Sequence, residues 1–253
     1  MSRSIWTRCA GPSRVRALSG AFRRVVEAQF RNSTRKLVDS DGEQALLEEL
    51  LDARAKLPVP VGFEGLHYLL YTPFRHPPLP HGSRFGTTRE RGILYGAREL
   101  PTALAEVAYY RLLFLDGSRA DLGTVFVELT SFLFSLKARR AIDLSRPPFS
   151  AYEAAISSKV GYGASQELGR QMRGDGVQAC LYVSARARPR SLNLAVFENV
   201  FDPPRPREER RWSCTASRSR VEFRSEQLLG AVVRHAFQRD QFEVAGKLPS
   251  PAA

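Results

Sequence analysis

The amino-acid sequence predicts an α+β fold in which helices flank a mixed β core. Three observations support this prediction. The chain has 253 residues, of which 43% are hydrophobic, so it can bury one large core. Apolar stripes at helical spacing predict helices over 41–56, 101–115 and 164–173. Apolar or alternating runs predict one long or two short strands over 124–136, and further strands over 92–97, 141–144, 177–184 and 192–197.

The predicted helices begin and end at recognisable signals. Ser40 and Glu43 have the form of a capping box, which satisfies free amide groups at a helix start, and Pro58 follows the end of that helix. Pro101 suits the first turn of the second helix, where a backbone N–H is not needed. Gly174 ends the third. In the N-terminal segment, a further apolar stripe at helical spacing consists of Phe22, Val25, Val26 and Phe30.

The remaining segments are shorter and less regular. An apolar piece at 66–71 precedes a proline-punctuated loop over 73–80. After Phe201, three prolines and several arginines predict a surface crossing. The last segments are predicted to be a short strand around 221–223, a helix over 227–237 and a frayed tail over 247–253.

The chain carries a large excess of positive charge. Its 38 basic residues against 26 acidic ones give a formal net charge of +12, and 33 of the basic residues are arginine. Residues 1–36 alone contribute nine basic groups and one acid. Net charge informs partners rather than fold, and a cationic enzyme surface, a nucleic-acid arm or an anionic protein partner all fit it. No basic-aromatic motif or zinc-finger spacing favours nucleic acid.

Several classes of protein are disfavoured by what the sequence lacks. Its apolar runs are too short to cross a bilayer, and no secretory leader is recognisable, so we expect a cytoplasmic protein. Three cysteines without a CxxC pair and only four histidines give no basis for a zinc site, and we expect reduced thiols and no metal. Glycine-rich phosphate loops, HExxH and GxSxG are also missing.

One stretch, from Phe74 to Arg111, is unusual: FRHPPLPHGSRFGTTRERGILYGARELPTALAEVAYYR. Eleven residues separate Arg84 from Tyr95, and eleven more separate Tyr95 from Glu106. Downstream, LYVSAR places Ser184 at the end of a predicted strand, before SLNLAVF. These blocks, in this order, resemble the RES-domain family, which is named for its Arg, Glu and Ser. IWTRC, RVVEAQF and TRKLVDS also resemble the N-terminal part of its longer members.

The resemblance divides the chain into three regions. It implies a RES catalytic domain over 66–200, preceded by a helical, basic extension over 1–65 and followed by an Arg-rich strand and helix extension with a tail over 201–253. Two features depart from the family pattern. Gly163 stands where some compact relatives have a serine, and the tail beyond about residue 203 is not part of the signature.

The resemblance also implies a function. Members are similar in fold to ADP-ribosyltransferases and act as toxins of bacterial toxin–antitoxin pairs. They deplete NAD⁺ by cleaving the bond between nicotinamide and ribose, with inorganic phosphate or water as acceptor. NAD⁺ is then a substrate, and no bound cofactor is expected. The implied partner is an Xre-type or related antitoxin that covers the active site. A homodimer within that complex is also implied, with contact to nucleic acid only through the antitoxin and none to a membrane.

The residue types suit this chemistry. We predict Arg84, Tyr95 and Glu106 as catalytic residues, and Arg75 and Ser184 as substrate-binding residues. Arginine forks can bind a pyrophosphate, and the tyrosine ring can lie against nicotinamide. The carboxylate can stabilise the ribose cation that forms when nicotinamide leaves, and the serine can hydrogen-bond the amide or ribose. Read singly, each residue also fits a structural role, as a solvated loop charge, a core aromatic or a surface acid.

Two other functions remain open at this point. The same residues would serve an ADP-ribosyltransferase that modifies a protein or nucleic acid. Alternatively, the arginine excess would serve a noncatalytic nucleic-acid-binding protein, whose affinity falls steeply with salt.

Overall fold

A computed structural model describes residues 3–27, 58–226 and 230–250. Helices and strands both occur in this part of the chain, which confirms the α+β class. The α-helices are α1 (Ile5–Arg8), α2 (Tyr68–Arg75), α3 (Leu100–Gly117), α4 (Glu153–Ile156) and α5 (Gly163–Gly174). Short 3-10 helices lie at Gly11–Arg14, Phe149–Tyr152 and Arg239–Gln241. The strands are β1 (Arg16–Glu27), β2 (Leu94–Ala97), β3 (Val125–Asp143), β4 (Ala179–Val183), β5 (Leu192–Val196), β6 (Arg207–Ala216), β7 (Arg220–Glu226) and β8 (Val232–Gln238).

The strands pair into one mixed sheet with the order β1-β2-β5-β4-β3-β6-β7-β8. The 19-residue strand β3 is its centre, because it pairs antiparallel with β1 and β6 and parallel with β4. β1 also pairs with β2, so the strands β1, β2, β5, β4 and β3 close into a ring. β6, β7 and β8 extend the sheet as an antiparallel meander.

Three apolar clusters hold the helices against the sheet. One joins α2 to β1, β2, β3 and β5 around Phe134, and a second joins α5 to β4 and β5 around Tyr182. In the third, α3 packs against β6 and β7, with Leu104 and Tyr109 near Trp212 and Phe223. All four side chains are at most 2% exposed. Each such burial contributes about 1.5–3 kcal/mol, so α3 is firmly fixed on the sheet.

The N-terminal segment differs from its prediction. Phe22, Val25 and Val26 lie in the strand β1 and not in a helix, and Phe30 lies outside the described residues. β1 pairs with β3 from Glu27 back to Arg16, which buries Phe22 completely. Long-range pairing therefore overrides the helical spacing, and this part of the basic extension belongs to the core sheet. The helix predicted over 41–56 lies outside the described residues.

The C-terminal segment also differs. The helix predicted over 227–237 is wrong where the structure describes it, because Val232–Gln238 pairs with β7 as the strand β8. The arginine-rich crossing after Phe201 lies at the surface, as predicted, with residues 202–205 exposed, and it leads into the strand β6, which the prediction did not include. The tail does not fray before residue 250, since Leu248 is buried and the Pro249 carbonyl accepts a hydrogen bond from the Tyr109 hydroxyl.

The central elements follow the predictions more closely. The strands predicted over 124–136 and 141–144 are one continuous strand, β3, whereas α3, α5, β4 and β5 lie close to their predicted bounds. The loop predicted from residue 73 begins later, because α2 continues through Pro73 to Arg75. No helix in the described ranges is long and apolar enough to span a membrane. All three cysteines are buried and unpaired.

Candidate active site

A cleft of about 280 Å³ lies between the sheet and α3. β2, β5 and β4 supply its floor, because Ala97 pairs with Asn193 and Asn193 pairs with Tyr182, which places the three side chains on one face. The other walls come from β1, from the turn at 83–86, from α3 and from the residue before α5. The charged and polar lining residues are Arg23, Arg24, Ser83, Arg84, Tyr95, Glu106, Tyr110, Tyr162, Tyr182 and Asn193. We call this cleft the inner cavity.

Glu106 is the only carboxylate among the described residues that line the inner cavity. Its Oε1 atom accepts hydrogen bonds from Ser184 Oγ at 2.7 Å and from Asn193 Nδ2 at 2.6 Å. Both donors are neutral, and no described cation forms an ion pair with Glu106. The carboxylate is therefore held in place by neutral donors and is not paired with any described cation.

Ser184 is itself fixed by the turn that follows β4. Its Oγ accepts the backbone N–H groups of Arg186 and Ala187 at 3.2 and 3.1 Å. Its own N–H donates to the Ser191 carbonyl. Because these bonds leave the hydroxyl proton for Glu106, Ser184 acts here as a donor to the carboxylate.

Arg84 lies at the tip of a tight turn, with Ser83 and Gly86 paired across it. The side chain is only 7% exposed, and its guanidinium donates to the carbonyls of Ile156 and Ser158 at 3.1 and 3.0 Å. It also lies over the Tyr162 ring, 4.9 Å from the centroid. No described carboxylate pairs with Arg84, so a cation is held rigidly at the cavity wall without a counterion.

The turn that carries Arg84 is held by α5. Gln166 Nε2 donates to the carbonyls of His81 and Ser83 at 3.1 Å each. Arg173 Nη2 donates to the Phe85 carbonyl at 2.8 Å. Gly169 allows the helix to come this close, because a Cβ atom there would lie 2.1 Å from the Phe85 oxygen.

Tyr95 connects β2 to the same turn. Its hydroxyl accepts the Phe85 N–H at 3.1 Å and lies 2.9 Å from Ser83 Oγ. Burial raises the pKa of Tyr95 to about 12, although the hydrogen bonds with Ser83 and Phe85 oppose this rise. The phenol is therefore neutral at physiological pH, and its ring forms part of the cavity wall.

A second arginine, which has no counterion among the described residues, comes from β1. Arg24 Nη1 donates to the Tyr95 carbonyl at 2.9 Å, and its buried Nε has no hydrogen-bond partner. Burial lowers the pKa of Arg24 to about 10, which still leaves it cationic at neutral pH. Its neighbour Arg23 differs, because it pairs with Glu208 at 2.7 Å.

A larger, outer cavity of about 610 Å³ adjoins the inner cavity. Four residues line both: Ser83, Tyr95, Tyr110 and Tyr162. The outer cavity lies between the loop at 76–93 and the exposed side of α3. The two cavities are therefore neighbours that share a wall, and Glu106 lines the inner one only.

The structure brings together four of the five predicted site residues. Arg84, Tyr95 and Glu106 line the inner cavity. Ser184 is not among its lining residues but donates a hydrogen bond to Glu106. Arg75 does not join them, since it lies at the end of α2 and lines neither cavity. The predicted role of Arg75 stays untested.

The sequence interpretation missed Arg24, Tyr162, Tyr182 and Asn193. Asn193 carried a usable signal, since it is an amide inside an otherwise apolar predicted strand and therefore needs a polar partner. Arg24 was missed because its segment was predicted from helical spacing, whereas it lies in the strand β1. Tyr162 and Tyr182 gave no local signal, because a tyrosine beside apolar residues is usually part of a core.

No group of three or more potential metal ligands occurs within 3–27, 58–226 and 230–250. The geometry places one carboxylate and two arginines in the same cleft, and none of the three forms an ion pair with a described residue. The RES-domain model matches residues 59–217, well over half of the chain. The chain belongs to the RES-domain family. Comparison with curated proteins gives no match. β1, with Arg24, lies outside the matched range and still lines the cleft.

Proposed function

We propose that this RES-domain protein is a toxin that depletes NAD⁺ by cleaving the bond between nicotinamide and ribose. The observation that carries the proposal is the arrangement of charges in the inner cavity. Glu106 keeps its negative charge free, and Arg24 and Arg84 keep their positive charges free, within one small cleft. NAD⁺ offers the complementary groups, a ribose that becomes cationic and a pyrophosphate that is anionic.

In the proposed reaction, the C–N bond between ribose C1′ and nicotinamide breaks, and its electron pair leaves with the nicotinamide nitrogen. The ribose becomes cationic in the transition state, and the Glu106 carboxylate stabilises that charge. A bond then forms between C1′ and an oxygen of water or inorganic phosphate, whose proton passes to solvent. The products are nicotinamide and either ADP-ribose or its 1″-phosphate. Nicotinamide leaves as a neutral molecule, so no general acid is needed.

The remaining residues position the substrate. Arg84 and Arg24 bind pyrophosphate oxygens through charge-assisted hydrogen bonds. Asn193 Oδ1 is buried without a hydrogen-bond partner, and a ribose hydroxyl or the nicotinamide amide would supply the missing donor. The Tyr95 ring packs against nicotinamide. Ser184 acts through Glu106 and is a positioning residue.

The test is nicotinamide release from NAD⁺ by the purified protein, with and without phosphate. Glu106→Gln keeps the shape of the side chain and removes its charge, and we expect it to lower kcat by at least about 100-fold. Glu99→Gln is the matched control, because Glu99 is exposed at the start of the same helix and makes no capping bond. The product ratio with phosphate present identifies the acceptor. Equal turnover by wild type and Glu106→Gln would refute the proposal.

The same purified protein distinguishes the proposed function from the two alternatives, an ADP-ribosyltransferase and a noncatalytic nucleic-acid-binding protein. Transfer of label from NAD⁺ to a macromolecule, without free ADP-ribose products, would favour an ADP-ribosyltransferase. Salt-dependent binding to nucleic acid, with a biological effect that survives Glu106→Gln, would favour the noncatalytic alternative.

We also propose that an Xre-type or related antitoxin neutralises the protein in the bacterial cytoplasm by covering the cleft. The basic surface suits a partner with an acidic docking segment. Expression of the wild type should then arrest growth, and co-expression of the antitoxin encoded beside it should restore growth. Arrest that continues with the antitoxin present would contradict this part of the proposal.

A further inference from the structure

The size of the inner cavity limits what it can hold. At about 280 Å³ it lies at the lower end of small-molecule sites, which span about 300–1,000 Å³. It suits the nicotinamide and its ribose, with C1′ near Glu106 and the pyrophosphate at Arg24 and Arg84. The adjoining outer cavity of about 610 Å³, which shares Tyr95 and Tyr162 with the inner one, has room for the adenosine.

The walls of the outer cavity suit a flat aromatic base. Tyr110, Leu113 and Phe114 line one side on consecutive turns of α3, and Phe114 is 60% exposed. Pro77 and Pro78 line the opposite loop, where their rings restrict the backbone. An adenine ring placed between these surfaces would cover apolar groups that otherwise face water.

The charge of the outer cavity has one sign. Arg91 lines it together with His76 and His81, and no described aspartate or glutamate does. Arg91 is exposed, lies 5.5 Å from the Phe63 ring centroid and forms no ion pair with a described residue. In Rossmann folds that bind NAD, a carboxylate hydrogen-bonds the adenosine 2′-hydroxyl, whereas an arginine accommodates the 2′-phosphate of NADP. The same charge chemistry applies to any site that holds this ribose.

We infer that the outer cavity binds the adenosine half of the substrate and that Arg91 binds a 2′-phosphate, so that NADP⁺ is a substrate as well as NAD⁺. This inference rests on the proposed function. The bonds that break and form are the same as in the cleavage of NAD⁺, and the 2′-phosphate stays attached. Arg91 is a specificity residue in this arrangement, far from the reacting atoms.

The experiment compares kcat/KM for NAD⁺, NADP⁺ and nicotinamide mononucleotide, measured as nicotinamide release. We expect NADP⁺ to be cleaved at least as efficiently as NAD⁺, and the mononucleotide at least about tenfold less efficiently, because it cannot reach the outer cavity. Arg91→Gln should lower the ratio of kcat/KM for NADP⁺ to that for NAD⁺ by about tenfold. Arg89→Gln, an exposed arginine two residues away that lines neither cavity, should leave the ratio unchanged.

Calorimetric binding of adenosine 2′,5′-bisphosphate gives a second readout that needs no turnover. Binding that weakens in Arg91→Gln and not in Arg89→Gln supports the inference. If NAD⁺ is cleaved but NADP⁺ is not, or if Arg91→Gln leaves the ratio unchanged, the inference is overturned while the proposed function stands. If neither dinucleotide is cleaved, the proposed function fails, and a lack of bisphosphate binding then overturns the inference separately.

Discussion

Gly169 offers a sharp test of how the active-site turn is held. It lies in the middle of α5, where the helix meets the backbone of the turn that carries Arg84. In Gly169→Ala, the new Cβ atom would lie 2.1 Å from the Phe85 oxygen and 2.8 Å from its carbonyl carbon. Backbone atoms cannot rotate away as a flexible side chain can. Either the helix or the turn must therefore move by more than about 1 Å to reach an ordinary contact distance.

The expected loss of stability follows from two opposing effects. Overpacking of a well-packed site costs about 1–3 kcal/mol or more, and an overlap with backbone belongs at the upper end of that range. Alanine recovers up to about 1 kcal/mol, because it favours the helix over glycine. The net expectation is a loss of about 2 kcal/mol. For a chain of this size that corresponds to a Tm lowered by about 4–8 °C.

Thermal unfolding followed by circular dichroism measures this loss, and nicotinamide release measures its effect on the site. Displacing the turn also displaces Arg84, so kcat/KM should fall by at least about tenfold. Gly174→Ala is the matched control, because that position ends the same helix, is exposed and has no neighbour within 4 Å of the added Cβ. Equal Tm values for the two variants would refute the argument that close backbone contact fixes the turn.

Two further predictions concern Glu106 and the buried tyrosines. Ser184→Ala and Asn193→Ala each remove one donor to Glu106, and each should lower kcat/KM by about tenfold or more. Asn193→Asp should lower kcat/KM further, because it places a second carboxylate 2.6 Å from Glu106 Oε1. Activity retained in Asn193→Asp would contradict this assignment. Burial raises the pKa of Tyr95 and of Tyr109 from 10 to about 12. The neutral phenols therefore stabilise the folded protein fully below about pH 10, and this stabilisation is lost as the pH rises toward 12. In urea unfolding between about pH 9 and 11, Tyr95→Phe should therefore lose stability less steeply than the wild type, and parallel curves would count against the burial of that hydroxyl.

The sequence by itself indicated the family, the fold class and four residues that meet at the candidate site, Arg84, Tyr95, Glu106 and Ser184. Arg84, Tyr95 and Glu106 lie within one continuous stretch of chain. The structure confirms the helix start that Pro101 predicted in this stretch, since Pro101 lies in the first turn of α3. The family match and the α+β architecture confirm the corresponding predictions. Local patterns suffice for such elements because capping, turn geometry and side-chain periodicity depend on residues close together in the chain.

Only the tertiary structure decided which distant segments complete the cleft. The apolar residues of β1 and β8 have spacings that a helix would also give, and their strand conformation depends on pairing with β3 and β7. For β1 the partner lies more than a hundred residues away, so no local pattern reveals it. That pairing places Arg24 at the cleft, and the register of β5 against β4 places Asn193 beside Glu106. The charged residues that the proposed chemistry uses are therefore visible in the sequence, whereas the folded structure decides that they share one cleft without pairing with a described counterion.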